Sequence, residues 1–484
     1  MAVTAEADVL HGAGVQASER GEHQAALAAL SRAIALDPSQ CRYHNDLGNA
    51  LQRMGRIPDS LLCYQEALRL APGCVEAYNN QGSAYLRLER RQEAIASFLK
   101  AIEIKPDYPD PYNNLGNVLQ AQGHLMDAAS CYREALALRP DFAEAWHNLG
   151  KVFEVGRSLE DALTCYEEAL RIRPRFAEAH ISRAMTWLLM GRFEQGWEEY
   201  EWRWQGNELP RREFAQPRWD GSPLDGRGIL LYAEQGLGDT LQFLRFVPMV
   251  REAGGRVIVE CQARLAPLVE TIPGIDAVIA TGAPLPPFDV QAPLLSLPRI
   301  FRTTLETIPT PARFQVDRGR LTAMRKRMGR ARRKIGLVWA GSPVHRENPS
   351  RDRSVGLASF APLAQVSGLT LFSLQRGPEV AQLSSPPPGL KIGNLEAEST
   401  QIMDTAAAIM NLDLVISVDS MAPHLAGSLG KPVWVLLPFA SEWRWLLERE
   451  DSPWYPSVRL FRQPRLGDWA EVMKRILEAL DAPR

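Results

Sequence analysis

The chain has 484 residues, 45% hydrophobic and 23% charged, a composition that excludes a disordered or fibrous protein. At roughly 150 residues per domain there is room for about three domains. Lys and Arg (55) nearly cancel Asp and Glu (57), leaving −2, so no global field draws the chain to nucleic acid or membrane. The opening MAVTAEADVLHGAGVQ has neither a basic start nor a continuous apolar core, so no signal peptide is read there. The apolar window 406–418 is short and interrupted by Asn411 and Asp413, too broken to span a bilayer. A soluble, cytoplasmic protein is expected. Six cysteines in so long a chain do not make a disulfide scaffold; Cys63, Cys131 and Cys165 share one repeat position and read as buried reduced thiols.

Pro38, Pro72, Pro106, Pro140 and Pro174 fall at intervals of 34 residues. Gly48, Gly82, Gly116 and Gly150 recur in a first helix, and Ala67, Ala101, Ala135 and Ala169 in a second, beside Tyr64, Phe98, Tyr132 and Tyr166. The small residues let two helices approach, the aromatics fill the gap, and the proline stops the second helix. The pattern resembles the tetratricopeptide repeat over residues 7–176. A degenerate copy opens the array (Gly14, Ala26, Ala33) and another closes it (177–204, with Trp187 and Tyr200). The array is assigned to residues 1–204. Such arrays form a right-handed superhelix whose first helices line a groove. On that face Asn80, Asn114 and Asn148 recur at one position, with Asp46 before them. An amide both donates and accepts, so the ladder suits an extended peptide; it equally suits bridging between repeats.

Beyond residue 204 the period vanishes. The junction WEEYEWRW (197–204) is expected to be interdomain core. An apolar strand (Ile229–Tyr232), a glycine loop, a helix from Asp239 to about Glu252 and a strand at Val257–Val259 form a βαβ unit of a parallel sheet. Strands follow at Ala277–Ile279 and Phe288–Val290. The basic run 317–334 has no interleaved aromatics to stack on bases and reads as a solvated linker helix. A second α/β unit places strands at Ile335–Trp339, Leu369–Ser373, Leu414–Val418 and Val433–Leu437. Its helices fall near 357–366, 400–410 and 421–429, with a closing helix at 467–480. The expected fold is α plus α/β: the superhelix, then doubly wound Rossmann-like domains at 205–333 and 334–484, with ligands at the carboxyl ends of the strands.

Three loops there carry candidate chemistry. In Glu234–Asp239, Gly236 and Gly238 let a substrate approach beside Gln235, and Asp239 opens a helix; Asp is also a common helix cap. The GxGxxG fingerprint of nicotinamide dehydrogenases is absent. In the second loop, Trp339–His345 with Arg346, Arg351 and Arg353, small residues and cations suit a phosphate, or are merely exposed. In the third, Asp419, Ser420, Met421 and Ala422 begin a helix whose amides favour an anion, with His424 in its first turn; a capping Asp and a packed His are the alternative. Gln375, just after a strand, is a further donor-site candidate. Trp443, Arg444, Trp445, Trp454 and Tyr455 suit either the cleft or interdomain packing.

The segment AAAIMNLDLVISVDSMAPHLAGSLGKPVWVLLP (406–438) resembles the carboxyl domain of ADP-heptose:lipopolysaccharide heptosyltransferases, with their D-[ST]-x-x-x-H-L-A pattern. With AEQGLGDTLQFLRFV, WAGSPVH, FSLQRG, the 441–463 segment and the upstream repeats, nearly the whole chain is similar to bacterial tetratricopeptide-repeat glycosyltransferases, some of which glycosylate flagellin. The resemblance implies a GT-B fold, with the acceptor on the first α/β domain and a nucleotide-sugar on the second. It implies Asp239 as general base, and Asp419, Ser420 and His424 at the donor. Ser420 stands where many members have Thr, and Pro423 where they carry an ordinary residue. Transfer to a protein hydroxyl is the expected reaction, by single displacement with inversion. His345, Arg353 and the amides near Ala422 would stabilise the departing phosphate. No metal motif is seen, and no cofactor is implied beyond the nucleotide-sugar as co-substrate. The alternatives are a lipopolysaccharide or glycan acceptor, and a non-catalytic scaffold that binds a nucleotide.

Overall fold

Each 34-residue period yields two helices and a stop. In the computed structural model, residues 2–206, 212–330, 332–341, 353–396 and 401–482 are described. The repeat pairs are α1 (Ala2–Glu19) and α2 (His23–Leu36), α3 (Cys41–Arg53) and α4 (Ile57–Leu70), and α5 (Val75–Arg87) and α6 (Arg91–Ile104). They continue with α7 (Pro109–Ala121) and α8 (Leu125–Leu138), then α9 (Ala143–Val155) and α10 (Leu159–Ile172). Each second helix from α2 to α10 ends two residues before its proline, which has no N–H to continue the ladder.

The recurring glycines admit the recurring aromatics. A Cβ on Gly82 would lie 2.6 Å from the Phe98 ring, and on Gly48, Gly116 and Gly150 within 2.6 Å of Tyr64, Tyr132 and Tyr166. All four rings are fully buried, each worth about 2 kcal/mol of apolar burial. The six cysteines are free thiols; Cys165 is buried, and Cys63 and Cys131 are half-buried.

The chain divides into two compact units, Met1–Gly156 with Thr164–Pro174, and Arg157–Leu163 with Arg175–Arg484. The last helix pair, α11 (Ala177–Leu189) and α12 (Phe193–Glu199), belongs to the second unit. Aromatic packing explains why. Phe193 stacks on Trp454 at 5.8 Å, and Trp197 meets Phe243 and Trp443 edge-on at 6.1 and 5.2 Å.

The rest of the second unit holds two wholly parallel sheets. The first comprises β1 (Gly228–Tyr232), β2 (Arg256–Cys261), β3 (Ala277–Ala280) and β4 (Val290–Pro293), ordered β3-β2-β1-β4. The second comprises β5 (Arg333–Val338), β6 (Leu369–Ser373), β7 (Ile392–Asn394), β8 (Leu414–Val418), β9 (Val433–Leu437) and β10 (Val458–Arg462), ordered β10-β9-β8-β5-β6-β7. Helices α13 (Leu237–Phe243), α14 (Val247–Glu252), α15 (Ala266–Val269) and α16 (Leu297–Ile300) accompany the first sheet; α17 (Arg318–Met328), α18 (Ile402–Met410), α19 (Met421–Ser428) and α20 (Trp469–Asp481) follow in chain order. β1 and β8 are buried along their whole length, as parallel strands covered on both faces must be.

Several elements depart from the sequence expectation. The helix expected from Asp239 to Glu252 is broken by a 3-10 turn at Leu244–Phe246, where Pro248 cannot donate and its ring crowds the preceding turn. The segment at 357–366 forms a 3-10 helix with Pro362 inside it. β4 begins at Val290 rather than Phe288, and β7 and β10 were not anticipated. Among the described residues, no helix is long and apolar enough to cross a membrane.

Candidate functional site

Strand order locates the crevices. From β5 the second sheet grows through β6 and β7 on one side and through β8, β9 and β10 on the other, so its order reverses between β5 and β8. Ligands of such sheets sit at the carboxyl ends of the strands flanking that reversal. Here these ends are Trp339–Gly341 after β5 and Asp419–Ser420 after β8. Gln375, after β6, is buried and holds the first of them. Its Oε1 accepts from the N–H of Trp339 and Ala340 at 3.0 and 2.9 Å, while Nε2 donates to the carbonyls of Ala340 and Arg376 at 3.1 and 2.8 Å. All four bonds go to backbone, so Gln375 shapes the loop and has nothing left for a ligand.

Across the crevice Arg353 Nη1 donates to Asp419 Oδ2 at 2.9 Å. Asp419 is buried, and this pairing raises the Arg353 pKa further, against burial. The guanidinium therefore stays charged beside the start of α19. Ser420 caps that helix, its Oγ accepting from Ala422 N–H at 3.4 Å. Pro423 has no N–H, so the turn offers an anion fewer donors than an ordinary first turn. Met421 is half-buried and Ala422 buried. His345 lies outside the described residues.

The first sheet meets this region through α13, which packs on α19. Asp239 Oδ2 accepts from Gly236 N–H at 2.9 Å, and Oδ1 from Arg444 Nη2. Arg444 also pairs with Glu442 at 2.6 Å and donates from Nε to Gln242 Oε1 at 2.9 Å. Burial alone would lower the Arg444 pKa; Asp239 and Glu442 outweigh it and keep the guanidinium charged. Burial raises the Asp239 carboxyl above its ordinary value, with Arg444 opposing. The Asp419 charge adds a small part to the rise in Asp239, so the two loops lie close enough to share one electrostatic environment.

His424 lies at this junction and is only 4% exposed. Its Nδ1 is 3.1 Å from Tyr455 Oη, and its ring packs on Trp445 at 5.5 Å. Burial, then Arg444, lowers its pKa to about 3, so the ring is neutral at physiological pH. Gly238 makes room for it: a Cβ there would lie 2.9 Å from His424 Cδ2. Gln235 points elsewhere, donating from Nε2 to Tyr200 Oη at 2.9 Å.

In the repeats, Asn80, Asn114 and Asn148 donate to Asn45, Asn79 and Asn113 of the preceding copy at 3.0, 2.8 and 3.0 Å. The ladder thus bridges repeats, and Asn114 Oδ1 also accepts from Asn113 Nδ2 at 3.4 Å.

The sequence reading passed over Arg245, Glu442 and the Arg203–Glu234 pair. Arg245 is 1% exposed, bonds the Trp454 and Pro309 carbonyls at 2.9 and 3.2 Å, and lies over the Trp454 and Tyr455 rings. Its signal was a cation inside an apolar helix run.

Comparison with known proteins adds a partial identification. Residues 45–109 and 113–177 match a tetratricopeptide repeat family, and residues 18–55 a second TPR repeat family. These residues are tetratricopeptide repeats. A curated relative, Protein FlbA of Caulobacter vibrioides, is 30% identical over 327 residues, covering 62% of this chain and 54% of the relative. The chain thus spans about half the length of that relative. Among solved structures, MamA is 24% identical with a TM-score of 0.30, covering 37% of this chain and 96% of its own. Pseudomonas aeruginosa pilF is 19% identical with a TM-score of 0.36, covering 42% and 97%. The chain is a tetratricopeptide-repeat protein with a carboxyl-terminal α/β region, related to FlbA.

Proposed function

We propose that the chain is a glycosyltransferase of GT-B type that moves a sugar from a nucleotide donor to a hydroxyl of a protein, with the repeats recruiting that protein. The observation that carries the reading is the polar network at the carboxyl ends of two parallel sheets: Asp239 with Arg444 on one side, Arg353 with Asp419 on the other. In this reading the nucleotide phosphate lies against Arg353 and the start of α19, where a fixed positive charge stabilises the departing group. The acceptor hydroxyl attacks the anomeric carbon as the bond to phosphate breaks, and its proton passes to Asp239. A carboxyl raised by burial suits that task. Asp239 is held by Arg444 on one oxygen and Gly236 N–H on the other, and each oxygen keeps a second lone pair that can accept the hydroxyl proton. Flagellin is the acceptor the family resemblance points to.

Intact-mass spectrometry of flagellin co-expressed with the chain tests this. The expected result is a sugar-mass increment with wild type and none with Asp239→Asn. An increment that persists in the variant removes Asp239 from the mechanism, and none in either arm counts against flagellin as acceptor.

A further inference from the structure

The turns between paired repeat helices share one backbone conformation. Residues 21, 55, 89, 123, 157 and 191, each 34 positions after the last, all have positive φ. Gly21, Gly55, Gly123 and Gly191 take it freely, whereas Glu89 (φ 59°) and Arg157 (φ 63°) hold a Cβ there against the crowding of the backbone. The Glu89 side chain is exposed. Arg157 differs, because its side chain is engaged with Phe439, both residues belonging to the second unit. Its Nε and Nη2 donate to the Phe439 carbonyl at 3.0 and 2.7 Å, and the guanidinium lies 3.9 Å from the centre of the Phe439 ring.

Phe439 stands near the start of the loop that follows β9, and this loop carries the partners of Asp239. A second guanidinium clamps it. Arg462, the last residue of β10, donates from Nη1 to Ser441 Oγ and from Nη2 to the Trp445 and Leu446 carbonyls at 3.2 and 2.8 Å. Within the span so anchored stand Glu442 and Arg444, the latter bonded to Asp239 and Gln242, and Trp445, on which His424 packs. The clamp is held at a cost. Leu446 and Glu448 are left-handed non-glycine residues at φ 50° and 55°. Burial, then the Arg157 charge, pushes the Arg462 guanidinium down to about 10. Strained backbone and two like charges on one loop mark a segment whose shape is imposed by its surroundings.

We propose that Arg157 is a positioning residue: it fixes the loop 438–446 through Phe439 and so keeps Arg444 on Asp239. Its part in catalysis rests on the transferase reading; the clamp itself does not. Only five positions separate Phe439 from Arg444, so a loop freed at Phe439 loses one of the two anchors that set the Arg444 guanidinium.

Hydrogen-exchange mass spectrometry of the full chain, on wild type, Arg157→Gly, Arg157→Lys and Glu89→Gly, tests the proposal. Arg157→Gly removes the clamp and relaxes the turn, glycine being native to the equivalent turns at 21, 55, 123 and 191, so the variant should fold. Amides of 438–446 and of 236–243 should exchange about fivefold faster or more, with those of β1 and β8 unchanged. Arg157→Lys keeps the charge and a donor but not the paired N–H geometry, and should fall between. Glu89→Gly relaxes an equivalent turn without reaching the loop and should match wild type. Unchanged exchange in Arg157→Gly, a rise shared equally by β1 and β8, or the same rise in Glu89→Gly overturns the proposal. With wild type transferring sugar, Arg157→Gly should lower kcat about tenfold and leave nucleotide affinity within about twofold. An unchanged kcat beside a loosened loop also overturns the positioning role. A wild type that transfers nothing sinks the transferase reading alone, and exchange still decides the clamp.

Discussion

Arg444 is where the two sheets are tied, and its removal has a calculable cost. Arg444→Met keeps the length and the apolar contact with Trp443, over whose ring the guanidinium lies at 4.3 Å. It strands the Asp239 carboxylate and the Gln242 carbonyl, both bonded to a side chain that is only 4% exposed. Breaking a buried ion pair costs about 3–5 kcal/mol, and the unsatisfied Gln242 acceptor adds about 1 kcal/mol. At about 2–4 °C per kcal/mol for a large domain, the melting midpoint of the second unit should fall by roughly 8–24 °C. In Arg444→Met/Asp239→Asn the stranded charge is gone, so about 1–3 kcal/mol should return as coupling. The sign with pH is also set. Without Arg444 the Asp239 carboxyl rises further, and a raised acid stabilises the fold below its unfolded pKa and loses that contribution as pH climbs through the folded value. The deficit of the single variant should therefore shrink toward pH 5. Tryptophan-fluorescence melts of the four proteins of the cycle measure all of this. A single-variant loss below about 1 kcal/mol, or strict additivity in the double variant, would refute the reasoning.

Three further outcomes follow from the same geometry. Gly82→Ala gains at most about 1 kcal/mol of helix propensity but drives a methyl to 2.6 Å from Phe98, an overpacking cost of about 1–3 kcal/mol; circular-dichroism melts should show net destabilisation, partly recovered by Phe98→Leu. Burial, opposed by Arg203, pushes the Glu234 carboxyl up to about 7, so its contribution is full below pH 4.5 and is lost as pH rises through 7, about 3 kcal/mol in all. Glu234→Gln should flatten the melting-point profile between pH 5 and 8, and an unchanged slope would contradict this. Gln375→Ala leaves the Trp339 and Ala340 amides unsatisfied; the midpoint should fall by the equivalent of about 2 kcal/mol, and nucleotide affinity should fall with it.

Local pattern carried the fold a long way. The 34-residue spacing defines every helix pair from α3 to α10 because a glycine, an aromatic and a proline each act within one repeat. β1 and β8 are plain as apolar runs since both faces are covered. Edge elements are harder to read: β7 is three residues with Gly393 in the middle, and β10 (Val-Arg-Leu-Phe-Arg) carries two arginines three apart, a spacing that fits neither strand alternation nor a continuous apolar run. At the site, Asp239, Asp419 and Ser420 are legible because they follow strands. Their partners are not, because Arg444 lies 205 positions from Asp239 and Arg353 lies 66 from Asp419. No local period records such pairings. His424 illustrates the other limit: its place in the first turn of α19 suggests a ligand contact, yet Gly238 and Tyr455 enclose it.

The most direct test of a nucleotide donor at the β5–β8 reversal is a calorimetric titration of CMP, UDP, ADP and GDP into wild type and Arg353→Ala. The account predicts micromolar binding of one of them, weakened about tenfold or more by the substitution. Absence of binding by all four, or equal affinity in the two proteins, would contradict it.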